Sequence, residues 1–268
     1  MELISSFNKC INEQLGLTTL PIAVKLLEQG DSIPNEMGRP LRDLGEPITP
    51  CEGWNLTRRL NLPVAMLEED FSTACPTGLF VFGILEPIRQ WIEGDLAYGI
   101  YTSSREAAAN MERNVFRLQV GKYKGVAFAP LEKEYFVPDL VMVYCNSKQA
   151  MLLITAVAWA NGEALRVTIA ARNLCSDGVV QSFQIGRPVV AIPCGGDREH
   201  GGTQDTEVVF TTPLDRLEGI INGLELSKES ITVGNLGGKH KLRKRYDEMG
   251  IILDEKLGRK TTEKRTQR

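Results

Sequence analysis

The sequence predicts a single α/β or α+β domain in which helices are interleaved with the strands of a mixed sheet. Segments with apolar residues at helical spacing alternate along the chain with short runs rich in β-branched residues. No repeat of fixed period occurs, and no low-complexity linker divides the chain. The predicted domain covers residues 1–254. Residues 255–268 are basic and poor in apolar side chains, which predicts a disordered tail.

The N-terminal half of the chain opens with a predicted helix and strand. Apolar side chains recur at helical spacing from Leu3 to Leu15, which predicts a helix over residues 2–15. A β-rich run predicts a strand at 21–27, and a stretch crowded with Gly, Pro, Asn and Asp predicts an irregular loop at 30–50. The other elements predicted in this half are helices at 55–61 and 79–85, a strand at 96–101, a helix from 105 to about 118 that Ser103 or Ser104 caps, and a strand at 125–131.

The C-terminal half contains the clearest helix signal. Ser147 follows a predicted strand at 140–144 and precedes a segment rich in Ala, Met and Leu, which predicts a helix over 147–159. Asn161 and Gly162 are typical residues for its C-terminal cap. The remaining predictions are strands at 166–171, 189–192 and 207–211, a helix at 213–222, and a basic helix at 239–249.

Composition and charge argue against several classes of function. The net charge of -3, from 31 basic and 34 acidic residues, is unlike that of a basic nucleic-acid-binding protein. The longest apolar run, 150–160, is shorter than the roughly 20 residues that cross a bilayer. The acidic Glu2 is unlike the start of a signal peptide. We therefore expect a cytoplasmic protein. Only His200 and His240 could supply imidazole ligands, and no nucleophile-elbow or P-loop motif occurs.

Four of the six cysteines lie in turn-forming contexts, each with a glycine within the next three residues. They are Cys51, Cys75, Cys175 and Cys194. Because glycine lets the backbone direct its N–H groups toward sulfur, such turns can stabilise a thiolate. The helix predicted after Cys75 should lower the pKa of that thiol, and N–H groups of residues 195–197 should stabilise Cys194.

The other two cysteines have a different context. Cys10 lies inside a predicted helix and Cys145 ends an apolar strand, so we expect both to be inert packing residues. In a reducing compartment disulfides are uncommon, which leaves the four turn cysteines available for chemistry.

The four turn cysteines predict a metal centre. Four thiolates can ligate an iron–sulfur cluster, such as a 4Fe-4S cluster, or alternatively a structural zinc ion. The chain has no C-x-x-C motif, so a chance arrangement of four loop cysteines stays open on spacing alone. Arg198 and His200, shortly after Cys194, are candidates for binding the cofactor or an anionic ligand. The alternatives are a surface salt bridge for Arg198 and a solvated loop position for His200.

Several patterns resemble those of the uncharacterised ArCR family, a domain of unknown function. They are Pro21-Ile-Ala-Val-Lys25, Cys51, Cys75-Pro-Thr-Gly78, the runs 125–131 and 138–144, Cys175, and the run 186–198 that contains Cys194. The resemblance extends from about Phe7 to Leu224. It implies a prokaryotic protein, often from anaerobes, in which the loop cysteines recur, and it implies no substrate. The basic C-terminal extension lies outside it.

These residues together predict an iron–sulfur protein with a redox or small-molecule-binding role in anaerobic metabolism. Its expected partners are a small-molecule ligand or an electron-transfer protein, with no membrane and no nucleic acid, and it could form a homo-oligomer. Two alternatives remain open: a metal-free protein that binds or senses a small anion, and a zinc protein with the same four cysteine ligands. The sequence leaves open whether the protein is an enzyme.

Overall fold

A six-stranded sheet organises the fold in the computed structural model, which describes residues 2–159, 162–227 and 241–258. The strands are β1 (Ile22–Glu28), β2 (Val64–Leu67), β3 (Tyr123–Pro130), β4 (Leu140–Asn146), β5 (Val189–Ala191) and β6 (Glu207–Pro213). Their order across the sheet is β2-β3-β1-β4-β6-β5. The predicted α/β or α+β class is confirmed. The predicted mixed sheet is wrong, because each of the five pairings between these strands is antiparallel.

Helices lie between most of these strands. They are α1 (Glu2–Leu15), α2 (Pro40–Leu44), α3 (Pro50–Leu60), α4 (Pro76–Val81), α5 (Arg89–Ile92), α6 (Arg105–Arg113), α7 (Ser147–Ala158), α8 (Gln181–Ile185), α9 (Gly195–His200), α10 (Leu217–Ser227) and α11 (Lys241–Lys256). A π-helical turn, Cys175–Val180, precedes α8. Among the described residues, no helix combines the length and the apolar content that crossing a membrane would require.

The sheet separates two apolar cores. In β4, Leu140, Met142 and Tyr144 point into one core, whereas Val141 and Val143 point into the other. This is the alternation that a strand buried on both faces requires. Residues of α3, α4 and the π-helical turn belong to the first core, and α1, α7 and α10 cover the second. The two faces of the sheet are therefore covered by different helices.

Two predicted strands do not form. Residues 96–101 form turns, because Gly94 before the segment and Gly99 within it adopt the left-handed backbone conformation that interrupts an extended chain. Residues 166–171 have no regular secondary structure. The backbone N–H groups of Ala170 and Ala171 donate to the Asp177 carboxylate instead of to a strand partner.

The C-terminal helices differ from their predicted bounds. The helix predicted at 213–222 begins at Leu217, after a 3₁₀ turn, and runs to Ser227. The basic helix predicted at 239–249 spans Lys241–Lys256, so it includes the first two residues of the predicted tail. Residues 259–268 of that tail lie outside the described residues. The division into a domain of residues 1–254 and a tail stays a prediction.

Candidate functional site at four cysteines

Each of the four predicted ligand cysteines lies at the start of a helical segment. Cys51 is the second residue of α3, Cys75 and Cys194 directly precede α4 and α9, and Cys175 opens the π-helical turn. The predicted loop positions are wrong for Cys51 and Cys175, which are inside helical segments. Because the first N–H groups of a helix have no partner within it, a sulfur atom at such a position can accept hydrogen bonds from them.

An N-terminal cap explains why α3 begins five residues before the predicted start at residue 55. The Thr49 hydroxyl accepts a hydrogen bond from the Glu52 backbone N–H at 3.2 Å, and the Glu52 carboxylate accepts one from the Thr49 N–H at 2.7 Å. Pro50 occupies the first helical position, where its missing N–H costs nothing. This reciprocal cap is legible in the sequence Thr-Pro-Cys-Glu, and it fixes Cys51 in the first turn.

The four thiols lie close enough to influence one another's protonation. A hydrogen bond joins Cys51 and Cys194, and it raises the pKa of the Cys51 thiol. Burial raises the pKa of Cys75, and a charge on Cys194 raises it further. Burial also raises the pKa of Cys175 well above its usual range, with further contributions from Cys75 and Cys194. The structure therefore brings together the four cysteines that the sequence analysis selected.

Backbone N–H groups donate to three of the four sulfurs. The donors are those of Leu174 and Asp197 for Cys194, Ser176 for Cys175, and Thr77 and Gly78 for Cys75. The hydrogen bond from the Cys51 thiol, together with those from the N–H groups of Leu174 and Asp197, lowers the pKa of Cys194 to about 6. The expected lowering of the Cys75 pKa is wrong, because burial outweighs its two N–H donors.

A buried carboxylate, Asp197, holds α9 against the core next to the thiols. It accepts hydrogen bonds from Trp54 Nε1 at 2.7 Å, from the Tyr144 hydroxyl at 3.0 and 3.1 Å, and from the Thr203 hydroxyl. Burial raises the pKa of Asp197, while these donors favour its charged form. Asp197 thus secures α9 through its side chain and Cys194 through its backbone N–H.

Two buried ion pairs flank the thiol site. Arg58, 1% exposed, lies with its guanidinium carbon 3.7 Å from the ring centre of Tyr144 and pairs with Glu207 at 2.8 Å. Arg172 pairs with Glu112, which is also 1% exposed, and its charge favours the thiolate form of Cys75. Neither pair is evident from the sequence, because 149 and 60 residues separate the partners.

Helix α9 also carries the two residues predicted to bind a cofactor or anionic ligand. Arg198 Nη1 lies 3.1 Å from Asp205 Oδ1, at a partly exposed position. His200 is the last residue of the helix and is half-buried. Among the described residues, neither side chain belongs to the groups that contribute most to the pKa shifts of the four thiols. The structure shows the salt bridge weighed for Arg198, and a role of either residue in binding stays a prediction.

The two remaining cysteines lie on the other face of the sheet. Cys10 in α1 and Cys145 in β4 are buried in the second core. Burial raises the pKa of Cys145 to about 12, which keeps it protonated and unreactive. The distinction between two packing cysteines and four site cysteines therefore agrees with their positions.

Within residues 2–159, 162–227 and 241–258, no three or more His, Cys, Asp or Glu side chains are grouped so that they could hold a metal ion. Cys51, Cys75, Cys145, Cys175 and Cys194 are free thiols. The four site cysteines thus lie near one another without forming a compact single-ion site.

The fold and the site define an α/β protein with an antiparallel six-stranded sheet and four neighbouring cysteine thiols on one face. The chain belongs to the Uncharacterised ArCR family, whose sequence profile matches residues 10–223, and the predicted family is thereby confirmed. It is similar to an uncharacterized protein of Methanocaldococcus jannaschii, with 23% identity over 217 residues, 80% of this chain and 90% of that protein. No solved structure matches the chain.

Proposed function

We propose that the protein carries an iron–sulfur cluster ligated by Cys51, Cys75, Cys175 and Cys194, and that it acts in electron transfer or small-molecule binding in the cytoplasm. The observation that supports this is the mutual influence of four thiols from four separate segments. Four cysteines are the usual protein ligands of such clusters. Anaerobic metabolism, with its low potentials, is the setting expected for this chemistry.

A zinc ion and an iron–sulfur cluster place different demands on the spacing of the four thiolates. Zinc binds each thiolate at about 2.3 Å, which requires four closely spaced sulfur atoms. The described side chains do not group in that way. In a 4Fe-4S cluster each of the four iron atoms binds one cysteine, so the four thiolates lie farther apart than the ligands of one ion. The iron and zinc contents of the purified protein decide between the two.

The surrounding residues would give such a cluster a defined environment. N–H donors to Cys75, Cys175 and Cys194 would withdraw charge from the sulfur atoms, which raises the reduction potential of an iron–sulfur centre. When bound, the cluster would supply one-electron transfer. Cys75 is half-buried whereas the other three cysteines are 5–7% exposed, so an electron-transfer partner or small ligand would approach from the side of Cys75.

A test begins with the full-length protein purified without oxygen. Iron, acid-labile sulfide and zinc are measured, and the visible absorption spectrum is recorded before and after reduction. We expect a brown protein with iron and sulfide in equal amounts. Replacement of any one of the four site cysteines by serine should remove or destabilise the cluster, whereas Cys10→Ser and Cys145→Ser are matched controls that should keep it.

Two results would reject the cluster. Zinc without iron would show a zinc protein with the same ligands. A colourless and metal-free protein, even after incubation with iron and sulfide under reducing conditions, would favour a metal-free thiol protein. One observation favours that second candidate: Cys194 has a pKa of about 6 and a thiol partner in Cys51, so it would exist as a reactive thiolate. In that case, alkylation at mildly acid pH should modify Cys194 first.

A further inference from the structure

A cavity of about 290 Å³ lies on the face of the sheet opposite the thiols. Its walls come from α7, the segment 163–166, the residues before β5, and α10. The apolar part of its lining consists of Val157, Ala164, Leu165, Pro188 and Ile220. This volume is near the lower end of the range for small-molecule sites in proteins. The cavity can therefore take a small ligand with an apolar body.

Three arginines and two carboxylates surround the same cavity, so its lining carries an excess of one positive charge. Arg187 Nη1 lies 2.7 Å from Glu163 Oε1, and Arg216 Nε lies 3.7 Å from Asp215 Oδ2. Arg166 forms no ion pair with any residue that the structure describes. Its guanidinium group is thus available to a ligand.

The two paired arginines are half-exposed, and Arg216 has a second hydrogen-bond partner besides its ion pair. Arg216 Nε also donates to the backbone carbonyl of Gly186 at 3.2 Å. Gly186 is the C-terminal cap of α8. Arg187 follows Gly186 directly, and the backbone carbonyl of Arg187 accepts a hydrogen bond from the Ser182 hydroxyl at 2.9 Å. Guanidinium groups that are fixed before binding lose less conformational freedom when they pair with an anion.

We propose that this cavity binds a small molecule that combines a carboxylate or phosphate group with an apolar body. The planar guanidinium of Arg166 can donate two parallel hydrogen bonds to either anionic group. The apolar lining would then cover the rest of the molecule. Because the cavity and the four thiols lie on opposite faces of the sheet, the proposal does not depend on the presence of a metal cluster.

Gly219 provides a direct way to close the cavity. It lies in α10 and lines the cavity, and a Cβ atom added there would meet no other atom within 4 Å. A leucine at this position would extend into the open space without forcing α10 away from the sheet. Gly219→Ala is the matched control, because it adds the same Cβ and leaves the cavity open.

Binding is measured by isothermal titration calorimetry on the full chain, with octanoate and octyl phosphate as probes and 1-octanol as the uncharged comparison. We expect both anions to bind more tightly than 1-octanol, and their ratio identifies the preferred anionic group. Gly219→Leu should weaken binding of both anions by ~10-fold or more, and Gly219→Ala should not. Arg166→Gln should weaken the anions by ~10-fold while Arg89→Gln, a remote exposed arginine, leaves them unchanged.

Three outcomes would overturn the proposal. The first is that neither anion binds the wild-type protein. The second is that 1-octanol binds as tightly as the anions, and the third is that Gly219→Leu binds the anions as tightly as the wild type does. Circular dichroism of each variant shows whether it is folded. If Gly219→Leu does not fold, the comparison of Arg166→Gln with Arg89→Gln decides the question, and equal binding by these two variants rejects the site.

Discussion

Replacing Tyr144 with phenylalanine should destabilise the fold, because the tyrosine hydroxyl donates to the buried Asp197 carboxylate. The hydroxyl oxygen lies 3.0 and 3.1 Å from the two carboxylate oxygens. Phenylalanine keeps the aromatic ring, so the Arg58 guanidinium, 3.7 Å from the ring centre, retains its contact. The substitution therefore isolates the contribution of one hydroxyl group.

The expected cost follows from the remaining partners of the carboxylate. A hydrogen bond to a charged group contributes about 1.5–3 kcal/mol to stability. Asp197 keeps its hydrogen bonds from Trp54 and Thr203, so the carboxylate is not left without donors. We therefore expect the free energy of unfolding to fall by ~2 kcal/mol at neutral pH, near the lower part of that range.

The cost should depend on pH in a definite direction. Burial raises the pKa of Asp197 above its ordinary value, and the hydrogen bond from Tyr144 opposes this by favouring the charged form. Protonation of Asp197 therefore stabilises the folded state at low pH, and this contribution is lost as the pH rises through the folded-state pKa. Because the hydroxyl matters most to the charged carboxylate, the cost of Tyr144→Phe should shrink as the pH falls through that pKa.

Urea denaturation of the reduced, metal-free protein, followed by far-UV circular dichroism, measures the effect from neutral to mildly acid pH. Tyr246→Phe is the control, because Tyr246 is 62% exposed on α11. If Tyr144→Phe costs less than ~0.5 kcal/mol at neutral pH, or costs the same at every pH, the account of Asp197 as a charged and hydrogen-bonded anchor is wrong.

Three further predictions concern single side chains. In the metal-free protein, Cys51→Ala removes a donor and should raise the pKa of Cys194 from about 6 by ~1–2 units, measured by thiolate absorbance, whereas an unchanged titration would contradict the thiol pair. Arg172→Met leaves Glu112 buried without its partner and should cost ~3 kcal/mol in urea denaturation; adding Glu112→Leu should recover most of this loss. Gly125→Ala forces a Cβ against the backbone of β2 and should cost ~3 kcal/mol, and a thermal midpoint equal to that of the wild type would refute the register.

Elements with strong local signals could be predicted closely from the sequence. The helical spacing of apolar residues located α1, and the apolar content after Ser147 located α7 within one residue, although its N-cap is Asn146 and its C-cap is Trp159. The strand predictions at 96–101 and 166–171 were wrong, because composition alone does not reveal that glycines bend the first segment and that Asp177 takes the N–H groups of the second. In both cases a local feature with no periodic signature decides the conformation.

The site could be predicted only in part. Glycine-rich turns singled out the four cysteines, and their nearness in the structure agrees with that choice. The anchoring of α9 could not be predicted, because Asp197 meets Trp54 and Tyr144 across 143 and 53 residues of chain. Such contacts depend on the arrangement of the whole sheet, which local sequence does not encode.

The position of β6 between β4 and β5 has a consequence for biosynthesis. Cys194 precedes β6, and β6 supplies the pairing partner of both β4 and β5. A nascent chain therefore cannot fix Cys194 beside the other three cysteines until residues beyond 213 have left the ribosome. The four thiols are therefore brought together late in folding, and long-range pairing of this kind is slow.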